Sequence, residues 1–169
     1  KERLEEYCEQ ITKDLSFIAS SAQMIRIREQ VLQIAPVDVP VFLYGESGVG
    51  KEVIARMIHL RSSRANQPFI KVNCAALPSE LLESELFGYE PGAFTGATRS
   101  KPGKFELANH GTILLDEIAE MSTHLQAKLL HVLQDQQYSR LGGRSLVTLD
   151  VRVIAATNTD VHEAKRSGR

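Results

Sequence analysis

What this chain lacks narrows its function first. An excess of charge of either sign is missing: 20 Lys and Arg stand against 21 Asp and Glu, a net charge of −1. That balance argues against a surface that coats nucleic acid, so any DNA contact belongs to another segment of the protein. Cysteine is scarce. Cys8 and Cys74 make no Cys-x-x-Cys pair, which excludes a disulfide framework and a cysteine zinc site and fits a reducing, intracellular setting. The histidines (His59, His110, His124, His131 and His162) form no ligand cluster in sequence. Tryptophan is absent, and no internal repeat or low-complexity tract appears. No apolar run approaches the roughly 18 residues of a membrane span, and no signal peptide is visible. What remains is an ordinary globular composition, 43% hydrophobic and 24% charged, over 169 residues. That length suits one domain burying about 70% of its unfolded surface. The chain opens on Lys1 rather than Met and closes on a basic stretch, Lys165–Arg169, so it is expected to be part of something longer.

The patterning changes along the chain. Leu4, Cys8, Ile11 and Leu15 recur at spacings of four, three and four, which predicts a linker helix over 1–15. Such a stripe suits a dimer-forming linker and a helix docked on its own domain equally well. Met24, Ile27, Val31 and Ala35 mark a second helix, stopped by Pro36. Short apolar runs then follow at Val41–Tyr44, Phe69–Val72, Thr112–Leu115 and Val151–Ala156, and read as strands. Between them lie helical stretches at Glu52–Leu60, Ser79–Phe87 and Ser122–Leu133, the last with Ser122 as N-cap. Alternating strands and helices predict a parallel α/β sheet covered on both faces. Ligands of such sheets bind at the carboxyl ends of the strands.

Those ends carry chemistry. After the first strand comes Gly45-Glu46-Ser47-Gly48-Val49-Gly50-Lys51-Glu52, a phosphate-binding loop. Its glycines let successive N–H groups turn toward a phosphate, the following helix adds its dipole, and Lys51 adds a point charge. Glu52 stands where the general motif places Ser or Thr for Mg²⁺. Mg²⁺ must then lean on other ligands, or Glu52 must act through water. Sixty-five residues past Lys51, the run Ile113-Leu114-Leu115 ends in Asp116-Glu117. Beside a nucleotide, Asp116 suits Mg²⁺, directly or through water, and Glu117 suits the attacking water. The last strand ends in Thr157-Asn158, where an amide can meet the γ-phosphate or that water.

One loop departs from generic rules: Gly92-Ala93-Phe94-Thr95-Gly96-Ala97 sets an apolar ring between small residues. It is identical to the GAFTGA signature of the sigma-54-dependent activators, the NtrC type of bacterial enhancer-binding protein. The surrounding text resembles that family too, in Val72–Ala76, Glu85–Gly88, Gly111–Ile118 and Val151–Asn158, over about residues 17–169. Glu at the position of Glu52 is usual there.

The resemblance implies an AAA+ P-loop NTPase core at 16–169, with a parallel sheet sandwiched by helices and the GAFTGA hairpin inserted in a helix. Gly45–Glu52 would bind ATP, with Asp116 on Mg²⁺, Glu117 activating water and Asn158 as sensor. Asn73 would restrain the glutamate until the partner signals, and Ile18 would line the adenine pocket, although Ala19 replaces the family's usual glycine. Gly92–Ala97, led by Phe94 and Thr95, would touch the sigma-54 factor, and Arg140-Leu141-Gly142-Gly143 would move with it. The family works in the bacterial cytoplasm as a hexameric or heptameric ring. It binds DNA through a separate domain and is commonly switched by a two-component receiver. Its arginine fingers and helical lid follow the position of Arg169, so this chain alone is expected to hydrolyse ATP and assemble poorly. Two other classes share part of the set: a nucleotide-responsive regulator that ignores the sigma factor, and a DNA-processing motor. Neither accounts for Gly92–Ala97.

Overall fold

The computed structural model describes the backbone of residues 8–12 and 15–18 and the whole of residues 21–159. Strands β1 (Cys8–Thr12) and β2 (Leu15–Ile18) pair antiparallel, with Cys8 opposite Ile18. Helix α1 (Ala22–Ile34), β3 (Val41–Tyr44), α2 (Lys51–Leu60), β4 (Phe69–Asn73) and α3 (Ser79–Phe87) follow. Next come a short α4 (Lys104–Leu107), β5 (Thr112–Asp116), one 3-10 turn (Ile118–Glu120) and α5 (Thr123–Asp135). The hairpin β6 (Gln137–Ser139) and β7 (Leu146–Thr148) precedes β8 (Arg152–Thr157).

The expected helix over 1–15 is corrected by β1. Residues 8–12 are extended and pair with 15–18, while 1–7 and 13–14 lie outside the described residues. A two-heptad stripe fixes backbone for few helical hydrogen bonds. Two extended segments separated by two residues pair their backbones locally, and the adjacent β-branched residues Ile11 and Thr12 favour that state.

Strands β3, β8, β5 and β4 form one parallel sheet in that order. Side chains alternate across it. Ile113, Leu115 and Val153 face one layer, built from Leu82, Leu86 and Phe87 of α3 and Leu125, Leu129 and Val132 of α5. Leu114, Ile154 and Ala156 face the other, with Val31 of α1 and Ala55, Met57 and Ile58 of α2. Helices therefore cover both faces, as the apolar runs predict. Each such large apolar side chain contributes about 1.5–3 kcal/mol by leaving water. Ser21 and Ser122 cap α1 and α5, accepting from the N–H of Met24 and Leu125 at 3.2 and 3.4 Å.

The amino end of the sheet is locked by arginines. Arg152 is 3% exposed, and its guanidinium donates to the carbonyls of Ala35 and Ile34 at 2.6 and 2.9 Å. A cation thus satisfies the last carbonyls of α1, where the helix dipole is negative. Arg64 joins Asp38 to Asp150, and these carboxylates raise its pKa further above the ordinary arginine range.

Register decides what leaves the carboxyl edge. Asn73 lies opposite Asp116, and Tyr44 opposite Thr157. Gly45, Cys74, Glu117 and Asn158 therefore emerge side by side.

Candidate nucleotide site and its loops

The loop after β3 wraps the start of α2. Gly50 caps that helix with φ 97°, a left-handed conformation that a side chain would strain. The Gly45 N–H donates to Thr157 O at 3.2 Å, which ties the loop to β8. Lys51 donates to the carbonyls of Gly45 and Glu46 at 2.8 and 3.0 Å. Its ammonium is 3.9 Å from Glu117 Oε1.

Glu117 has φ 54°, a rare conformation for a residue other than glycine, asparagine or aspartate. It turns the chain sharply off β5 and aims the carboxylate back over the loop. Glu117 Oε2 accepts the Asn158 N–H at 3.3 Å, so the two expected residues meet through the backbone. Asn73 behaves differently from expectation: its Oδ1 accepts the Ala75 N–H at 2.9 Å, and it makes no hydrogen bond to Glu117. A side chain two residues from a free N–H closes its own turn before reaching across the sheet edge. Ile18 ends β2, and its side chain lies outside the described ones.

Asp116 and Glu52 flank one cation that sequence reading passed over. Lys71 Nζ is 2.7 Å from Glu52 Oε2 and 3.5 Å from Asp116 Oδ2. Glu52 Oε1 also takes two N–H groups of Arg56, at 3.1 and 2.9 Å. The hydrogen bond from Lys71, then that from Arg56, holds the Glu52 carboxyl below its ordinary pKa, and Lys71 rises in return. The signal for Arg56 was available, since Glu and Arg four apart share a helix face. For Lys71 the only hint was one charge inside an apolar strand. Behind the site, burial first and the charges of Asp116 and Glu117 second push the Cys74 thiol up to about 12, which leaves it inert.

Gly92–Ala97 lies in the segment between α3 and α4. The segment is pinched at its root, where a Cβ on Gly88 would sit 2.4 Å from Lys101 O. The loop closes on itself through Gly92 N–H to Ala97 O at 2.8 Å, and Phe94 at its tip is 47% exposed, edge-on to Tyr89. Arg140 in the β6–β7 turn clamps this segment. It donates to Glu90 at 2.8 Å and to both oxygens of Glu106 at 2.9 and 2.6 Å. Burial pulls the Glu106 pKa up, but Arg140, the Gly103 N–H and Tyr138 hold it below its ordinary value. A Cβ on Gly142 would be 2.9 Å from Ala93, so that turn touches the signature loop itself. Glu90, Glu106 and Tyr138 are the anchors that no sequence pattern exposed.

Helix α5 links the two regions. It begins at Thr123, past the 3-10 turn that follows Glu117, and leads into β6, and Lys128 on it binds Glu83 of α3 at 3.0 Å.

Comparison with known proteins identifies the family and the fold. The Sigma-54 interaction domain profile matches residues 17–169. The Nif-specific regulatory protein of Azospirillum brasilense is 53% identical over 152 residues, covering 90% of this chain and 24% of that protein. The regulatory protein AtoC of Escherichia coli K12 is 54% identical over 151 residues, 89% and 33% of the two lengths. The chain thus spans about a quarter to a third of these relatives. Among solved structures, NtrX from Brucella abortus in complex with ATP aligns with TM-score 0.80 at 40% identity, over 88% of this chain and 32% of that one. The P-loop NTPase domain of the Sigma-54 transport activator from E. coli shares the fold, with TM-score 0.57 at 21% identity over 89% and 84%. Among the described residues, no helix is long and apolar enough to cross a membrane.

Proposed function

The chain belongs to the Sigma-54 interaction domain family, and from that premise we propose that it is the ATP-hydrolysing core of a bacterial activator that remodels sigma-54 RNA polymerase. In this reading residues 16–169 are the nucleotide-binding subdomain, and 1–15 lead from an upstream regulatory domain. The N–H groups of Gly45–Gly50 and the Lys51 ammonium bind the ATP phosphates. Glu117 accepts a proton from the water whose oxygen attacks the γ-phosphorus, and ADP leaves. Asn158 orients that water and registers whether the γ-phosphate is present. Glu52 and Asp116 offer the hard carboxylate oxygens that Mg²⁺ takes, so Asp116 would hold the ion, directly or through water, where it would neutralise phosphate charge. Asn73 would gate Glu117 only after leaving its own turn.

A γ-phosphate that comes and goes gives Glu117 two sets of contacts, which is what a switch requires. Helix α5 begins beyond Glu117 and ends at the β6–β7 hairpin. A small shift of α5 would therefore move Arg140 and with it Glu90, Glu106 and the Gly92–Ala97 loop. Ring assembly, a DNA-binding domain and a cytoplasmic setting complete this reading.

The observation that carries it is the pairing of an acid-ended strand over a phosphate loop with an exposed Phe94–Thr95 tip, on a segment that Arg140 holds at Glu90. The test, on the chain extended through its helical lid, is capture of purified sigma-54 in ADP with aluminium fluoride by wild type and Thr95→Ala, with ATP hydrolysis measured alongside. Capture by wild type alone supports the reading. Capture by neither, with hydrolysis intact, leaves an ATPase whose target is not this sigma factor.

A further inference from the structure

Strand β4 carries its charge at Lys71, and that charge reaches the nucleotide edge. Lys71 shares a face of the sheet with Phe69 and Asn73, the face covered by α2. Its ammonium therefore arrives between Glu52 of α2 and Asp116 at the tip of β5, at 2.7 and 3.5 Å. The two carboxylates are not equally served. Glu52 has a second cation in Arg56, itself held over the Phe69 ring at 4.9 Å. Asp116 has Lys71 as its one ion-pair partner among the described residues.

An ammonium and a hydrated divalent cation make the same demand on such a pair: close, hard, anionic oxygens. Both cannot sit between Glu52 and Asp116 without strong mutual repulsion. The Lys71 side chain is 36% exposed on a flexible four-carbon stem, so its ammonium can swing to solvent without disturbing the core. Resting on the nucleotide reading above, we propose that Lys71 is a built-in counter-cation of the Glu52–Asp116 pair. A divalent ion must displace it to reach Asp116, so Lys71 sets how strongly divalent-ion binding and nucleotide binding are coupled. Free divalent ion alone gains too little from two carboxylates to evict it, whereas an ion arriving with phosphate oxygens brings its own further ligands. Lys71 is thus a positioning residue that reserves the site for the metal–nucleotide pair.

The experiment measures ADP affinity by calorimetry in EDTA and in excess Mg²⁺, for wild type, Lys71→Met and Lys71→Arg, with Mn²⁺ binding followed by electron paramagnetic resonance. Methionine keeps the stem and removes the charge. The ratio of the ADP dissociation constant in EDTA to that in Mg²⁺ is expected to rise about three- to tenfold in Lys71→Met, the scale of a partly exposed ion pair. Mn²⁺ without nucleotide should bind Lys71→Met measurably more tightly. Lys71→Arg, which keeps the charge, should stay at or below the wild-type ratio. An unchanged ratio in a folded Lys71→Met protein overturns the proposal. So does an equal loss of ADP affinity in both conditions, which would make Lys71 a phosphate ligand. If methionine prevents folding, Lys71→Gln serves the same comparison. Wild type that binds no ADP in either condition removes the nucleotide reading together with this one. Wild type that binds with Mg²⁺ dependence, beside an unchanged variant, removes this one alone.

Discussion

The two ends of the same four strands are both charged, and they are built in opposite ways. At the amino end, Arg152 is buried against helix carbonyls at 2.6 and 2.9 Å, and Arg64 is shared by Asp38 and Asp150. At the carboxyl end Glu52 is held by Lys71 and Arg56, but Lys51 stands 3.9 Å from Glu117 and Lys71 3.5 Å from Asp116, separations that leave those two carboxylates room for another partner. The difference is one of saturation. A filled network adds rigidity, whereas a loose one keeps its charges available for a ligand that must come and go. A third cluster, around Arg140, is as filled as the amino end and joins the β6–β7 turn to α4 and to the segment that carries Gly92–Ala97.

The comparison can be broken at four places. The largest effect is expected from Glu117→Gln, which should lower ATP hydrolysis about 10²–10⁴-fold while leaving the melting temperature and ADP affinity nearly unchanged. A matching loss of stability would mean that the carboxyl end is also a structural lock. Next, Arg152→Met should destabilise the fold by about 2–3 kcal/mol in urea titration, because the buried Ala35 carbonyl loses its donor while that of Ile34 keeps only the Val37 N–H. A neutral result would place the lock elsewhere. Arg140→Ala should cost about 1–2 kcal/mol, leaving Glu106 without its cation. It should also speed amide exchange at Glu90 and Leu141, whose N–H groups join the two loops. Unaltered exchange would separate the β6–β7 turn from the signature loop.

The smallest effect concerns pH. His59 is buried, hydrogen-bonded to Thr112 Oγ1 at 2.9 Å, and burial lowers its pKa. A depressed folded-state pKa means that its contribution is complete above the ordinary histidine value of about 6.5 and is lost as pH falls below it. Melting temperature should therefore decline from pH 6.5 toward 5, and His59→Gln should flatten that decline. An identical slope in the variant would assign the loss to other groups.

Much of this was legible in the sequence because it is local. A run of apolar residues ending in Asp116-Glu117, or glycines ahead of Lys51, states its geometry within a dozen residues. The β3, β4, β5 and β8 strands and the three principal helices after β3 follow the periodicities within a residue or two. The misses have different causes. The stripe over 1–15 is local too, but nothing in it says whether a partner exists, and strand pairing prevailed over residues 8–12. The Arg140 clamp joins residues 50 and 34 positions apart, whereas the Asn73 Oδ1 accepts the Ala75 N–H two residues on and its amide does not reach Glu117.

The sequence by itself determined the chemistry available to this protein: a phosphate loop, two acids at a strand tip, an amide beside them and a Phe-Thr loop of known family. Each rests on short-range backbone and side-chain preferences that neighbouring residues enforce. Only the tertiary structure decided which charges meet. Strand register and the two-sided packing of helices set Lys71 between Glu52 and Asp116, and Arg140 between Glu90 and Glu106. Charge pairing falls off over a few ångströms, and no spacing along the chain encodes such distances across it.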